Sequence, residues 1–379
     1  MGCKDIYFFV QEKYFYSFFI SNSLTYNCFK LIMLISQLLV NWYQNHHRDL
    51  PWRHTSDPYK IWLSEIILQQ TRIDQGKSYY NCFIEKFPAV EDLAKAEEQE
   101  VLRLWQGLGY YSRARNLHKT AQTITNDYKG VFPDNYSLLL KLKGVGDYTA
   151  SAIASHAFGL PYAVVDGNVY RFLSRYFSIS KPIDTLIGQK YFKKLASELL
   201  DKQNPSIYNQ AIMEFGALQC KPKNPDCSTC VLVDSCKAFA MKKINSFPVK
   251  KGKTKVRNRY FNYFILQDSS NKFVLKKRSE RDIWQNLYDF PLIETEKEIS
   301  EKELLSSSSL STLFKFQHFT INKILPTQIH MLSHQKIHLR FFILVANNFE
   351  LKPDFLKYSL AEITKLPLPR PIEKMINQF

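Results

Sequence analysis

Apolar residues recur at helical spacing over the first two thirds of the chain and at strand spacing in the last third. Leu34, Ile35, Leu38, Leu39 and Trp42 fall on one helix face, since residues three and four apart project together. Asp57 followed by Pro58 supplies an N-cap and a favoured first helical residue, opening a helix through Tyr59, Ile61, Trp62, Leu63, Ile66, Ile67 and Leu68. That helix is apolar nearly all round and is predicted to be buried. Further helices are predicted over 101–105, 112–126, 136–142, 148–158, 167–176, 189–200 and 207–215. Eight Lys or Arg and no acid lie between Lys242 and Arg259, with Pro248 and Gly252 as helix breakers, which predicts an exposed basic linker. Beyond it, 260–267 and 272–277 read as strands of a hairpin turning at Asp268, Ser269, Ser270 and Asn271, and 336–345 as another strand. The serine cluster at 306–309 predicts a loop.

The pattern divides the chain into a mostly helical region, residues 33–240, a linker, 241–258, and an α/β domain, 259–379; 379 residues suffice for two domains. Met33 reads as the initiator, with residues 1–32 an over-extended reading frame or a disordered extension. The stretch 6–20 is interrupted by Gln11, Glu12 and Lys13, and 31–40 by Ser36 and Gln37, so neither supplies the roughly 20 apolar residues of a membrane span. The amino terminus lacks the basic start and small-residue cleavage site of a signal peptide. Hydrophobic residues at 45%, with 12 Gly and 16 Pro, exclude collagen-like and wholly disordered chains. A net charge of +16 favours a polyanionic partner such as nucleic acid. Four of the seven cysteines lie within 220–236, which suits one metal site in a reducing, cytoplasmic setting better than a disulfide framework; Cys3, Cys28 and Cys82 read as ordinary thiols.

Three features carry candidate chemistry. Cys220, Cys227, Cys230 and Cys236 have the spacing C-x6-C-x2-C-x5-C, and on chemistry alone zinc and an iron–sulfur cluster suit four thiolates equally. Gly144-Val145-Gly146 stands between two predicted helices, where a tight turn brings backbone N–H groups toward a phosphate at the next helix start. Thr149 at the third glycine position and the lack of a preceding predicted strand argue against a dinucleotide fingerprint. Glu65 points along an apolar helix face, where burial raises a carboxyl pKa and makes a proton donor near neutrality. Asp166 precedes a predicted helix as an N-cap, a position that keeps a carboxylate ionised.

The stretches Trp-Leu-Ser-Glu-Ile-Ile-Leu-Gln-Gln-Thr at 62–71 and Gln-Gly-Leu-Gly-Tyr-Tyr-Ser-Arg-Ala-Arg-Asn-Leu at 106–117, the glycine turn, Val165-Asp166-Gly167-Asn168 and the four cysteines occur in order. Together they resemble the MutY-type adenine DNA glycosylases of the endonuclease III superfamily, over about residues 36–346. The resemblance implies a helix-hairpin-helix glycosylase region holding one [4Fe-4S] cluster in the loop 220–236, and a Nudix-like C-terminal domain. It implies excision of adenine mispaired with 8-oxoguanine or guanine in duplex DNA, by base flipping and acid-catalysed hydrolysis of the N-glycosidic bond, in a monomeric, bacterial-type protein acting at the nucleoid.

In that family Glu65 matches the general acid and Asp166 the carboxylate that stabilises the sugar cation, with Asn168 and Arg53 supporting them. Tyr148 takes the place of the Schiff-base lysine of endonuclease III, which implies a monofunctional enzyme, since tyrosine forms no imine. Gln70, Thr71, Leu108 and Tyr110, with Arg113, match residues set into the stack around the lesion, and Gly144, Val145 and Gly146 the DNA-binding hairpin. Leu332, Ser333 and His334 match a Phe-Ser-His loop that reads the oxidised guanine, with leucine replacing the stacking phenylalanine. Asn286 replaces a glycine in a Gly-Leu-Trp-Glu-Phe-Pro turn; Asn tolerates the left-handed backbone, so the turn is expected to persist. The absence of a Nudix catalytic signature implies that this domain binds rather than hydrolyses. The competing readings are an endonuclease III-like lyase, against which Tyr148 and the extra domain argue, and a non-catalytic metal-containing DNA-binding protein, against which Glu65 with Asp166 argues.

Overall fold

The computed structural model describes residues 24–252, 256–305, 313–316, 319–346 and 349–379, with side chains from Ile32 onward except at 315 and 316. The first part of the chain forms α1 (Leu24–His46), α2 (Pro58–Leu68), α3 (Ile73–Lys86), α4 (Val90–Lys95), α5 (Glu98–Leu104), α6 (Ser112–Asp127), α7 (Tyr136–Leu139), α8 (Asp147–Phe158), α9 (Gly167–Tyr176), α10 (Leu186–Leu199), α11 (Pro205–Leu218) and α12 (Lys237–Ala240). The caps read from sequence are made: Asp57 accepts from Tyr59 N at 2.9 Å, and Asp166 from Asn168 N and Val169 N at 2.9 and 2.8 Å. Gly159, left-handed at φ +64°, ends α8. α1 starts at Leu24, nine residues ahead of Met33, and Ile32 already rests on the core. α3 and α4 are additional to the predicted helices, and α7 is a single turn that stops three residues short of its predicted end.

Contacts gather the chain into two compact units, each assembled from two stretches of sequence. One comprises the residues up to Tyr80 and Thr123–Gly252; the other comprises Asn81–Gln122 and Lys253–Phe379. In the first unit α11 packs against α1, α8 and α9, and α2 packs against α8. Leu39, Trp42, Phe172, Phe192, Tyr208 and Phe215 lie at the centre of its core. Gly216 lets α11 approach α9 closely: a Cβ there would meet Asn168 O at 2.7 Å.

The second unit holds β1 (Arg257–Leu266), β2 (Phe273–Lys277), β3 (Tyr288–Asp289), β4 (Leu292–Thr295), β5 (Phe314–Phe316), β6 (Phe319–Ile324), β7 (Gln328–Met331), β8 (Gln335–Ala346), β9 (Phe349–Leu351) and β10 (Phe355–Tyr358). Its central sheet runs β4-β1-β8-β6, with β7 also pairing β8, and smaller sheets run β10-β2-β3 and β5-β9. β1 and β8 are parallel, in register from Arg257 opposite Gln335 to Leu266 opposite Leu344. Phe264, Phe342, Leu344, Ile293 and Leu304 form a core on this sheet.

The structure alters two expectations. The turn at 268–271 exists, with Asn271 at φ +58° and an isolated Gln267–Phe273 bridge, but β1 and β2 diverge into different sheets instead of forming a hairpin. The basic segment is not free along its length. Ile183 N donates to Val249 O, Lys251 N and Gly252 N donate to Asp184, and Arg259 is buried between Asp282 and Glu294 at 2.6 Å from each. The predicted serine loop at 306–309 lies outside the described residues. Among the described residues no helix is long and apolar enough to cross a membrane.

Candidate active site

Helix α2 brings Glu65 to the interior of the first unit, where only 9% of the residue remains exposed. Burial pushes its carboxyl up to about 7; the neighbouring Asp166 charge adds to this, while a hydrogen bond from Tyr148 and the charge of Arg53 act against it. Tyr148 comes from α8, one residue after the N-terminal Asp147, and its hydroxyl also lies 3.8 Å from Met213 Sδ. Asp166 caps α9. Burial raises its pKa as well, contrary to the expectation for an N-cap, because desolvation exceeds the opposing bonds from Val169 N and from Asn168. Asn168 Nδ2 donates to Asp166 Oδ2 at 2.6 Å, so three donors converge on this carboxylate. Three donors thus favour the ionised form of Asp166 against its burial, whereas burial is the main influence on Glu65 and favours its protonated form.

Arg53 sits in the 3-10 turn Pro51–Arg53, over the Tyr43 ring at 5.5 Å. Its guanidinium donates in fork fashion to Glu214, Nη1 to Oε1 at 3.0 Å and Nη2 to Oε2 at 2.7 Å, while Arg48 donates to the same carboxylate through N, Nε and Nη2. Sequence reasoning misses Glu214, although its signature matches that of Glu65: a lone acid among apolar helical neighbours, here Ala211, Ile212 and Phe215. Asn168 is held in turn. Arg171 Nη2 donates to Asn168 Oδ1 at 2.8 Å and to Gly216 O at 2.5 Å, and Arg171 Nε to Cys220 O at 2.8 Å. A continuous chain of hydrogen bonds thus joins Asp166 to the start of the cysteine loop.

Cys220, Cys227, Cys230 and Cys236 all line one cavity, together with Arg175 and Phe172. Arg175 is 2% exposed and donates to Cys220 Sγ at 3.4 Å and to the carbonyls of Lys221 and Pro222 at 2.7 and 3.0 Å. Burial pushes the Cys230 thiol up to about 12 and raises Cys227 and Cys236 as well. Among the described residues no three His, Cys, Asp or Glu side chains converge closely enough to hold one metal ion. The donor set of four soft sulfurs beside a buried cation does suit an anionic thiolate cluster.

The remaining candidates fall into two sets. In the first unit Gln70 is exposed at φ +56°, Thr71 follows it, and Gly144 turns at φ +81°. Val145 is buried and donates to Leu142 O, and Gly146 caps α8, so the hairpin offers backbone rather than the Val145 side chain. In the second unit Gly107, Gly109 and Tyr110 have φ of +100°, +72° and +49°, and Leu108 is buried while Tyr110 is 37% exposed. Arg113 is buried, lying 5.0 Å from the Trp105 ring and 5.8 Å from the Tyr110 ring, and donates to Leu108 O and Gly109 O. It therefore shapes the loop. The hydroxyls of Tyr110 and Ser333 are hydrogen bonded to each other. Leu332 N donates to Gln335 O across the tight β7–β8 turn, and Ser333 and His334 are exposed at its tip. Asn286 is left-handed at φ +66°, as its place in the turn requires, and donates to Glu98 at 2.6 Å.

Residues 63–201 match the HhH-GPD superfamily base excision DNA repair protein family, and residues 262–378 the NUDIX domain. The chain is 35% identical to an adenine DNA glycosylase of Buchnera aphidicola subsp. Schizaphis graminum over 92% of this chain and 99% of that one. It is 43% identical to the Homo sapiens adenine DNA glycosylase over 53% of this chain and 38% of the human one. A solved thermostable thymine-DNA glycosylase superposes with a TM-score of 0.52 and 32% identity, covering 56% of this chain and 98% of that one. The helical region is thus a glycosylase fold and the strand-rich region a Nudix-like domain. A buried acid and a helix-capping carboxylate lie in that helical region, the second domain follows it in sequence, and the likeness to the Buchnera relative runs over most of the chain: this DNA N-glycosylase belongs to the adenine DNA glycosylase family.

Proposed function

We propose that this protein excises adenine mispaired with 8-oxoguanine or guanine from duplex DNA, as a monomer acting in the cytoplasm. The observation that carries the reading is the unequal treatment of two adjacent buried carboxyls. Glu65 is held near pH 7 by burial, whereas Asp166 is gripped by three donors. The protonated Glu65 gives its proton to adenine N7, and the C1′–N9 bond breaks with its electron pair leaving on the base. Asp166, ionised, stabilises the sugar cation until water completes the hydrolysis. Tyr148 orients the Glu65 proton and offers no amine, so strand cleavage does not accompany excision.

Gln70 and Thr71 in the first unit are DNA-contacting residues, as are Leu108 and Tyr110 in the second. The Gly144–Gly146 hairpin takes a backbone phosphate. Ser333 and His334 contact the oxidised guanine, and Arg113 acts on DNA through the loop it shapes. Cys220, Cys227, Cys230 and Cys236 are the ligands of one [4Fe-4S] cluster, with Arg175 supplying charge beside it. When bound, the cluster would supply four iron–thiolate bonds that cross-link the loop 220–236 to itself.

The test is a single-turnover assay on duplexes with A opposite 8-oxoguanine, G or T, and with thymine glycol opposite A, with and without alkali. Cleavage of the adenine strand in the mispaired duplexes, after alkali alone, is expected. Alkali-independent nicking at thymine glycol would establish the lyase reading instead, and no excision anywhere would leave a DNA-binding protein.

A further inference from the structure

We propose that Glu214 is a positioning residue of this site: its buried carboxylate occupies both arms of the Arg53 guanidinium and keeps Arg53 from forming an ion pair with Glu65. The proposal rests on the reading of Glu65 as proton donor. A guanidinium presents a planar fork that matches a carboxylate, and a carboxylate so paired is held ionised. An Arg53 paired with Glu65 would therefore remove the proton that excision needs. In the structure that fork is already taken. Glu214 is 1% exposed and accepts from Nη1 and Nη2 of Arg53, and Nη1 also donates to Arg48 O at 2.9 Å. Arg53 then acts on Glu65 only as a charge.

The clamp is itself well anchored. Burial opposes the charge on Glu214, but the bonds from Arg48 and Arg53 outweigh it and hold the carboxyl at about 2. Arg48 adds three bonds at 2.9, 2.9 and 2.5 Å. Two cations and one anion leave a net single positive charge. The groups that bear on Glu65 are Tyr148 from α8, Asp166 ahead of α9 and Arg53. Those that bear on Arg53 are Tyr43 from α1, His156 from α8, and Glu214 from α11. Helix α11 presents Gln210 to the Tyr43 hydroxyl at 2.6 Å one turn before Glu214, and Met213 to Tyr148, so one rigid element spaces the surroundings of Glu65.

The experiment is the pH dependence of single-turnover adenine excision by the full-length protein and its variants. In wild type, excision falls as pH rises through about 7, the Glu65 midpoint. In Glu214→Gln the freed Arg53 pairs with Glu65, and the midpoint drops by about one pH unit. The rate is then about five-fold lower than wild type at pH 7 and nearly equal to it at pH 5. Glu214→Asp, which keeps the anion, retains a midpoint close to wild type. A residue that merely supports the fold would lower the rate by one factor at every pH.

A wild-type midpoint near 7 that stays in place in a folded Glu214→Gln variant overturns the proposal alone. A wild type with no such limb overturns the donor reading, and the proposal with it. Should Glu214→Gln fail to fold, the double variant Arg48→Met/Glu214→Gln restores the net charge while still leaving Arg53 unclamped. Its midpoint is expected to fall as well, and an unmoved one refutes the clamp.

Discussion

Replacing Glu65 by glutamine should abolish excision and make the variant's stability relative to wild type rise with pH toward neutrality. The ordinary glutamate value is 4.5, and the folded environment raises Glu65 to about 7, with desolvation as the main cause. Between those values the folded protein keeps a proton that the unfolded chain has released. Stability therefore falls as pH rises through that interval and is level above it. At about 1.4 kcal/mol per pH unit the interval amounts to roughly 3 kcal/mol. Only 9% of the residue is exposed, so solvent screening takes little from this figure. The amide introduced by Glu65→Gln does not titrate. The stability of that variant relative to wild type should then climb by about 3 kcal/mol from pH 4.5 to pH 7 and stay flat beyond. Urea unfolding of both proteins across this range reads the difference, and any constant cost of the amide cancels from its slope. A stability difference that does not change with pH would refute the assignment of a buried, proton-holding Glu65.

Two further predictions concern the supports of Asp166 and the cysteine loop. Gly216→Ala places a Cβ 2.7 Å from Asn168 O and 2.9 Å from Asn168 C, so backbone must move; a loss of about 1–3 kcal/mol and a large drop in excision are expected, and a variant with unchanged unfolding and full activity would contradict the close packing of α9 on α11. Cys227→Ser should remove the brown iron–sulfur absorbance and most of the folded protein, whereas a colourless wild type carrying zinc would overturn the cluster.

What was legible in the sequence was what neighbouring residues decide. The run Asp57-Pro58 followed by apolar residues all round fixed a buried helix with its cap, and Asp166 was readable as a cap before α9. α3 is not legible in the sequence because its apolar positions, such as Tyr80 and Phe83, are interspersed with Asp74, Gln75, Lys77 and Asn81. Its burial is decided by distant partners: Tyr80 meets Trp52, and Phe83 meets Trp105. The same holds for charge. Arg259 belongs by composition to a solvated basic segment, yet Asp282 and Glu294, more than 20 residues away, bring it into the core. Glu65 was legible as an acid on an apolar face, but the magnitude of its shift and the role of Glu214 depend on Arg48 and Arg53 meeting α11 across some 160 residues. The cap on Asp166 was read correctly as geometry, while the sign of its pKa shift was not, because desolvation depends on packing from helices far away in sequence.

The second unit is built from two stretches separated by about 130 residues of the first. Gln106 accepts a hydrogen bond from Leu368 N, the Tyr111 hydroxyl donates to Leu368 O, and Arg115 donates to Gln285 O. On a ribosome these partners do not exist when residues 81–122 emerge. At about 5–20 residues per second the intervening chain alone takes roughly 7–26 seconds to make, and Leu368 follows only near the end of synthesis. Until then Gln106, Tyr111 and Arg115 lack these partners. A nonsense codon shortly before Leu368 would thus act beyond the short tail it removes: it would strip the loop bearing Leu108 and Tyr110 of the bonds from Leu368 to Gln106 and Tyr111.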